Sequence, residues 1–121
     1  MGVGYKGDVT YYHSISENVP VLAKTYPLKN GYFGVKGTSE KVRVIYSNDP
    51  AKTGKDFYDK IAYGGIESNL KNGKGVITKM ADGSIITFRP TTKSDNNPGV
   101  DINIEKSTDN GGLKKQKIHF E

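Results

Sequence analysis

Three short segments in the last forty residues alternate apolar and polar side chains, and this alternation constrains the fold more than any other feature of the sequence. In Val100 to Glu105, Val100, Ile102 and Ile104 fall on one parity while Asp101, Asn103 and Glu105 fall on the other. In Lys117 to Glu121, Ile118 and Phe120 oppose Lys117, His119 and Glu121, and in Ser84 to Arg89, Ile86 and Phe88 oppose Ile85, Thr87 and Arg89. Successive side chains of an extended strand point to opposite faces, so each segment reads as a half-buried strand with one face on a core. If the three are neighbours on a common core, one sheet surface collects Arg89, Asp101, Asn103, Glu105, Lys117 and His119.

The rest of the chain supports a mixed fold. Val76 to Met80 and Ser84 to Arg89 flank Asp82-Gly83, a strong short signal for a hairpin. Val42, Val44 and Tyr46 alternate with Arg43 and Ile45, which suits another strand. Asn48-Asp49-Pro50 then announces a helix, a capping oxygen followed by Pro where its missing N–H costs nothing. That helix is predicted from about Pro50 to Tyr63, with Phe57 and Ile61 on one stripe and Gly64-Gly65 as its stop. Residues 1–40 are rich in Tyr, Gly and Lys and show no sustained period, so they read as a loop-rich arm with room for short strands. The expected fold is α+β: a small twisted antiparallel sheet, one or two helices packed on one face, and a loop-rich N-terminal arm. A division into an arm at 1–40 and a main unit at 41–121 follows, the two together forming one compact domain.

Composition narrows the function classes. The 121 residues carry no Cys, which excludes disulfides and thiolate metal sites. No cofactor or metal is expected. No apolar run approaches the length of a membrane span, and no secretory leader pattern opens the sequence. A formal charge of +5 suits a polyanionic partner, although it does not demand one.

The polar parity holds an acid, a base and two cations on what would be a rigid platform. The alternative is an ordinary solvated sheet face, whose cross-strand charge pairs are worth a few tenths of a kcal/mol. Arg89 is one of only two Arg, and its planar fork suits either a phosphate or a structural pairing with Asp101. His119 is one of two His and supplies the side chain best matched to proton transfer near neutral pH. The other, His13, lies in the arm without a supporting pattern. The segment Arg89 to Pro98 is full of hydroxyls and amides, including Thr91, Thr92 and Ser94, with Lys93 adding charge. It can cradle a phosphate, or it can simply turn the chain. Lys52, Lys55 and Lys60 read as the solvated helix face, with Lys60 a candidate contact to a nucleic-acid backbone.

The run Lys93-Ser94-Asp95-Asn96-Asn97-Pro98-Gly99-Val100-Asp101 resembles the Lys/Arg-Ser-Thr, two residues, Pro, two residues, Asp signature of an RNase family in bacterial polymorphic toxin systems. The Asp82-Gly83-Ser84 hairpin, the Arg89-Pro90 strand end, the closing Lys117-Ile118-His119-Phe120 and the helix ending Tyr58 to Gly65 are also similar to this group. The likeness covers about residues 41 to 121 and departs from the signature at Asp95, where Thr is expected. It implies a nuclease of the barnase, EndoU, colicin and RelE type, at the C-terminus of contact-dependent inhibition, Rhs/Wap or LXG toxins. Such a domain is secreted or displayed on the cell surface as part of a larger toxin and acts in the cytoplasm of the target bacterium. Its implied partners are ribosomal RNA or tRNA as substrate and a cognate immunity protein, with no obligate homo-oligomer. Carried over by position, the signature reaches Lys93, Ser94, Pro98 and Asp101, and the closing motif reaches His119.

The expected chemistry is metal-independent attack of an RNA 2′-hydroxyl on its adjacent phosphate. His119 with Asp101 or Glu105 would move the protons, Arg89 and Lys93 would stabilise charge, and Ser94 with Asn103 would position substrate. Thr91, Thr92, Lys117 and Lys60 are further candidate substrate contacts. Two alternatives stay open. Asp101, Glu105 and His119 could instead hold a divalent metal for DNA cleavage, or the chain could bind RNA without cutting it, through its Tyr-rich arm.

Overall fold

The structure is a computed structural model, which describes residues 13–92 and 96–121. The alternating segments form adjacent strands as expected: β7 (Ile85–Arg89), β8 (Gly99–Asn103) and β9 (Gln116–Phe120). They sit in a seven-stranded sheet with β3 (Val35–Ser39), β4 (Val42–Ile45), β5 (Ile66–Asn69) and β6 (Val76–Lys79), in the order β3-β4-β9-β8-β7-β6-β5. Every pair is antiparallel except β4 with β9, which is parallel and sets Val42 beside Lys117 and Val44 beside His119. A separate small hairpin joins β1 (Leu28–Lys29) to β2 (Tyr32–Phe33).

Two helices cover one face of the sheet. The helix signalled by Asp49-Pro50 is α2 (Pro50–Ile61), and the Asp49 side chain accepts from Lys52 N–H at 3.3 Å. Gly64, in the left-handed region at φ 78°, turns the chain away after it. The other helix, α1 (Ile15–Ala23), occupies residues expected to be loop. Ile15, Val19 and Leu22 form its buried stripe, and Glu17 reaches back to accept from Ser14 N–H at 2.9 Å. The Asp82 carboxylate holds its first turn by accepting from Ile15 N–H at 2.8 Å.

The core lies between the helices and the inward parity of the sheet. Ile86 and Phe88 of β7, Val100 and Ile102 of β8, and Ile118 and Phe120 of β9 meet Phe57, Tyr58 and Ile61 of α2. Phe57 is its centre, with the rings of Tyr26, Phe33 and Phe120 all within 5.1–5.4 Å of its own. Burying such a ring contributes roughly 1.5–3 kcal/mol. Tyr26 and Tyr32 of the expected arm pack inward, so neither is available to stack on a base. Tyr5, Tyr11 and Tyr12 lie outside the described residues. The expected boundary at 40/41 falls in the turn between β3 and β4. Among the described residues, no helix is long and apolar enough to cross a membrane.

Arg43 shows how differently the two arginines are used. It is buried, donates to the carbonyls of Phe33, Gly34 and Glu40 at 3.0–3.1 Å, and lies over the Tyr32 ring. All of that ties β4 to the β1–β2 hairpin. Arg89 lies on the other face.

Candidate functional site

The helices occupy one side of the sheet, leaving the polar parity of β7, β8 and β9 open. Register fixes two rows across it. Arg89, Gly99 and His119 are successive cross-strand partners in one row, and Thr87, Asp101 and Lys117 in the next. Because Gly99 has no side chain, the Thr92 methyl packs over it, in a gap between Arg89 and His119 whose walls stand two strand spacings apart, roughly 9–10 Å. Asp101 is the diagonal neighbour of both, a relation of about 7–8 Å across a sheet.

A cleft of about 600 Å³ opens over this gap. Its lining includes Arg89, Asp101, Lys117 and His119 from the strands, Thr91, Thr92 and Asn96 from the β7–β8 connection, and Asn72 and Lys74 from the β5–β6 turn. Among the described residues three cations, Lys74, Arg89 and Lys117, face one carboxylate, which favours an anionic ligand. The connection is closed on itself by Thr92 N–H donating to Asn97 at 2.9 Å and Asn96 N–H donating to Thr92 at 3.1 Å. A methyl at Gly99 would stand 2.9 Å from Thr92 Cγ2, so glycine is what lets this connection lie over the strand.

Arg89 donates from Nη1 to Asp101 Oδ2 at 3.0 Å, with 40% and 32% of the two side chains exposed. The structural pairing open to Arg89 from the sequence is thus formed. At this exposure such a pair is worth at most about 1 kcal/mol. One nitrogen of the guanidinium makes this bond, and a phosphate can compete for it. His119 is half-buried beside Val44, and its Nδ1 is buried with no hydrogen-bond partner among the described residues.

Other expected residues are placed differently. Glu105 lies beyond the end of β8, exposed and paired with Lys115 at 3.2 Å, outside the cleft. β8 ends at Asn103, so the alternation that put Glu105 on this face stops two residues short of it. The trio of Asp101, Glu105 and His119 is accordingly not gathered, and among the described residues no three His, Asp or Glu could share a metal ion. Lys60 sits on α2, on the covered side of the sheet, and is paired with Asp56 at 3.0 Å. That pair raises the Lys60 pKa through its hydrogen bond and charge. Asn103 lines an adjoining cavity on the same face. Lys93 and Ser94 lie outside the described residues, between two residues that line the cleft.

Asn72 and Lys74 were not anticipated. Their signal is the Asn72-Gly73 dipeptide, a strong hairpin mark, with Gly73 left-handed at φ 71°. The strand before it, β5, is exposed throughout and carries no alternation to announce it. Comparison of the chain with protein-family models, curated proteins and solved structures finds no match.

Proposed function

We propose that this chain is an endoribonuclease, acting as the toxin domain of an interbacterial system and restrained by a cognate immunity protein. The observation that carries the reading is the row Arg89, Gly99, His119: a cation and an imidazole on either side of one cleft, with Asp101 diagonal to both. A phosphodiester seated in the cleft would meet Arg89 on one flank, and its arrival would draw the guanidinium away from Asp101. The freed carboxylate takes the proton of the 2′-hydroxyl, whose oxygen attacks the adjacent phosphorus. The bond from phosphorus to the 5′ oxygen breaks, and His119 gives that oxygen its proton. Arg89, Lys117 and Lys74 stabilise the charge on the phosphoryl oxygens. The products are a 2′,3′-cyclic phosphate and a 5′-hydroxyl. The toxin setting, the immunity partner and supporting roles for Lys93 and Ser94 come from the resemblance in the signature run, and the positive net charge agrees with an RNA substrate.

The test is incubation of the purified protein with total bacterial RNA in the presence of a chelator, followed by mapping of the new ends. Cleavage with 5′-hydroxyl ends is expected, slowed about 10²- to 10⁴-fold by His119→Ala with the unfolding midpoint unchanged. Full activity in both His119→Ala and Asp101→Asn would sink the assignment.

A further inference from the structure

The open face holds a second cavity, of about 540 Å³, that shares Asp101 and Lys117 with the cleft. Ile77, Ile85 and Thr87 line it together with Asn103, Gln116, Lys41 and Lys115. It lies one row further along the strands, since Asn103 is the partner of Ile85 as Asp101 is of Thr87. Two residues of strand span roughly 6.8 Å, about the length of one extended nucleotide. The two cavities are thus spaced as a phosphate and the base attached to its neighbouring sugar.

We propose that this second cavity receives the base of the nucleotide on the 5′ side of the cut, and that Asn103 selects guanine or uracil, through the O6 or O4 oxygen that stands where adenine and cytosine carry an amino group. The inference rests on the endoribonuclease reading. Polarity follows from Asp101: the carboxylate that takes the 2′ proton also lines the second cavity, so the sugar bearing that hydroxyl, and its base, lie on this side. The aliphatic bed of Ile77 and Ile85 offers a flat apolar contact to any base. Discrimination falls to the amide. Asn103 Oδ1 accepts from Glu105 N–H at 3.0 Å. A backbone N–H can only donate, so this bond fixes which way the amide faces. Asn103 is half-buried, and its NH₂ group has no partner among the described residues. A donor there is complementary to guanine O6 or uracil O4 and meets another donor in adenine N6 or cytosine N4.

The experiment uses a short RNA with all four bases randomised on each side of a single cut, with ends counted by sequencing. The expected result is a preference of roughly tenfold for guanine or uracil on the 5′ side, with a weaker one on the 3′ side. Asn103→Asp is the decisive variant. It keeps the oxygen that accepts from Glu105 N–H, so the turn persists, but replaces the donors by an acceptor; the preference should move toward adenine or cytosine. An Asn103 that serves only the turn would leave base preference unchanged in this variant, and that result overturns the proposal. A preference on the 3′ side alone, or cleavage indifferent to both neighbours, also overturns it. The latter result, combined with protection of this face by a bound protein, would make the face a protein-docking surface. Binding of the four nucleoside 3′-monophosphates provides a readout independent of turnover: guanosine and uridine forms should bind about tenfold tighter than the others. Equal binding is a failure of the selection. Absence of any RNA cleavage is a failure of the underlying reading.

Discussion

Substituting Gly99 by alanine separates what the cleft needs from what the fold needs. Gly99 lies in β8 with φ outside the left-handed region, so its backbone accepts a Cβ. Removing glycine's freedom in the unfolded chain stabilises by about 0.4–1 kcal/mol at such a position. Against this, the new methyl meets Thr92 Cγ2 at 2.9 Å and the Ile118 carbonyl oxygen at 3.4 Å. The first contact is roughly 0.6–1.1 Å short of a comfortable carbon–carbon separation. The atom in the way is the end of a side chain on a connection, which can swing aside, so the net change in stability should stay within about 1 kcal/mol. The proposed phosphate site does not escape so lightly, because the methyl and the Thr92 side chain it displaces both crowd the cleft between Arg89 and His119. A displacement of about 1 Å costs on the order of 10²-fold in rate. Gly99→Ala should therefore unfold near the wild-type urea midpoint while cutting RNA about a hundredfold more slowly. Adding Thr92→Ser removes the clashing methyl and should restore any lost stability without restoring the rate. Wild-type turnover in Gly99→Ala would mean that no phosphate approaches Gly99. A loss above about 2 kcal/mol would mean that the glycine serves the fold.

Two further expectations concern the covered side of the sheet. Asp82 is buried and accepts from Ile15 N–H, Ser84 Oγ and Ser107 Oγ, tying α1 to the β6–β7 turn and the segment after β8. Asp82→Ala should cost about 3 kcal/mol in urea denaturation, and a cost under about 1 kcal/mol would show that these bonds are replaced by water. The Tyr58 hydroxyl donates to Glu67 at 2.9 Å and is bonded to Thr78, and burial, opposed by the Thr78 bond and reinforced by Glu67, pushes its pKa above 10.0. The folded state then holds the phenolic proton more tightly than the unfolded state does, so its contribution is full below pH 10 and is lost as pH rises beyond it. Tyr58→Phe should flatten the fall in stability measured between pH 9 and 11, and an unchanged slope would assign that fall to other groups.

The parts of the fold that were legible are those in which neighbouring residues speak for themselves. Alternation in 84–89, 100–105 and 117–121 placed Ile86, Phe88, Val100, Ile102, Ile104, Ile118 and Phe120 inward; all are buried but Ile104, which is partly buried against the core past the end of β8. Asp49-Pro50 marked the start of α2 because capping is decided within one turn. α1 was hidden although Ile15, Val19 and Leu22 have helical spacing, because Pro20 inside it reads as a helix breaker and the tertiary contacts that outweigh it are remote. Tertiary context also decided the site. Parity placed Arg89, Asp101, Lys117 and His119 on one face, but only the register shows that Gly99 separates Arg89 from His119. Glu105 was misplaced because parity carries no information about where a strand stops. Lys74 and Asn72 reach the cleft through the β5–β6 turn, whose position depends on pairing across the whole sheet.

The parallel pairing of β4 with β9 has a kinetic consequence. β9 is the latest strand in the sequence yet is wedged between β4 and β8, so the sheet cannot be assembled by adding hairpins in order. The β3–β4 hairpin and the β5-to-β8 meander can each form from local contacts, but they join only when residues 116–120 slot between them, closing a long loop back to residues 42–45. The rate-limiting step of folding should be this insertion. Since it is also the step that delivers His119, the cleft proposed as the active site is complete only once β9 has docked.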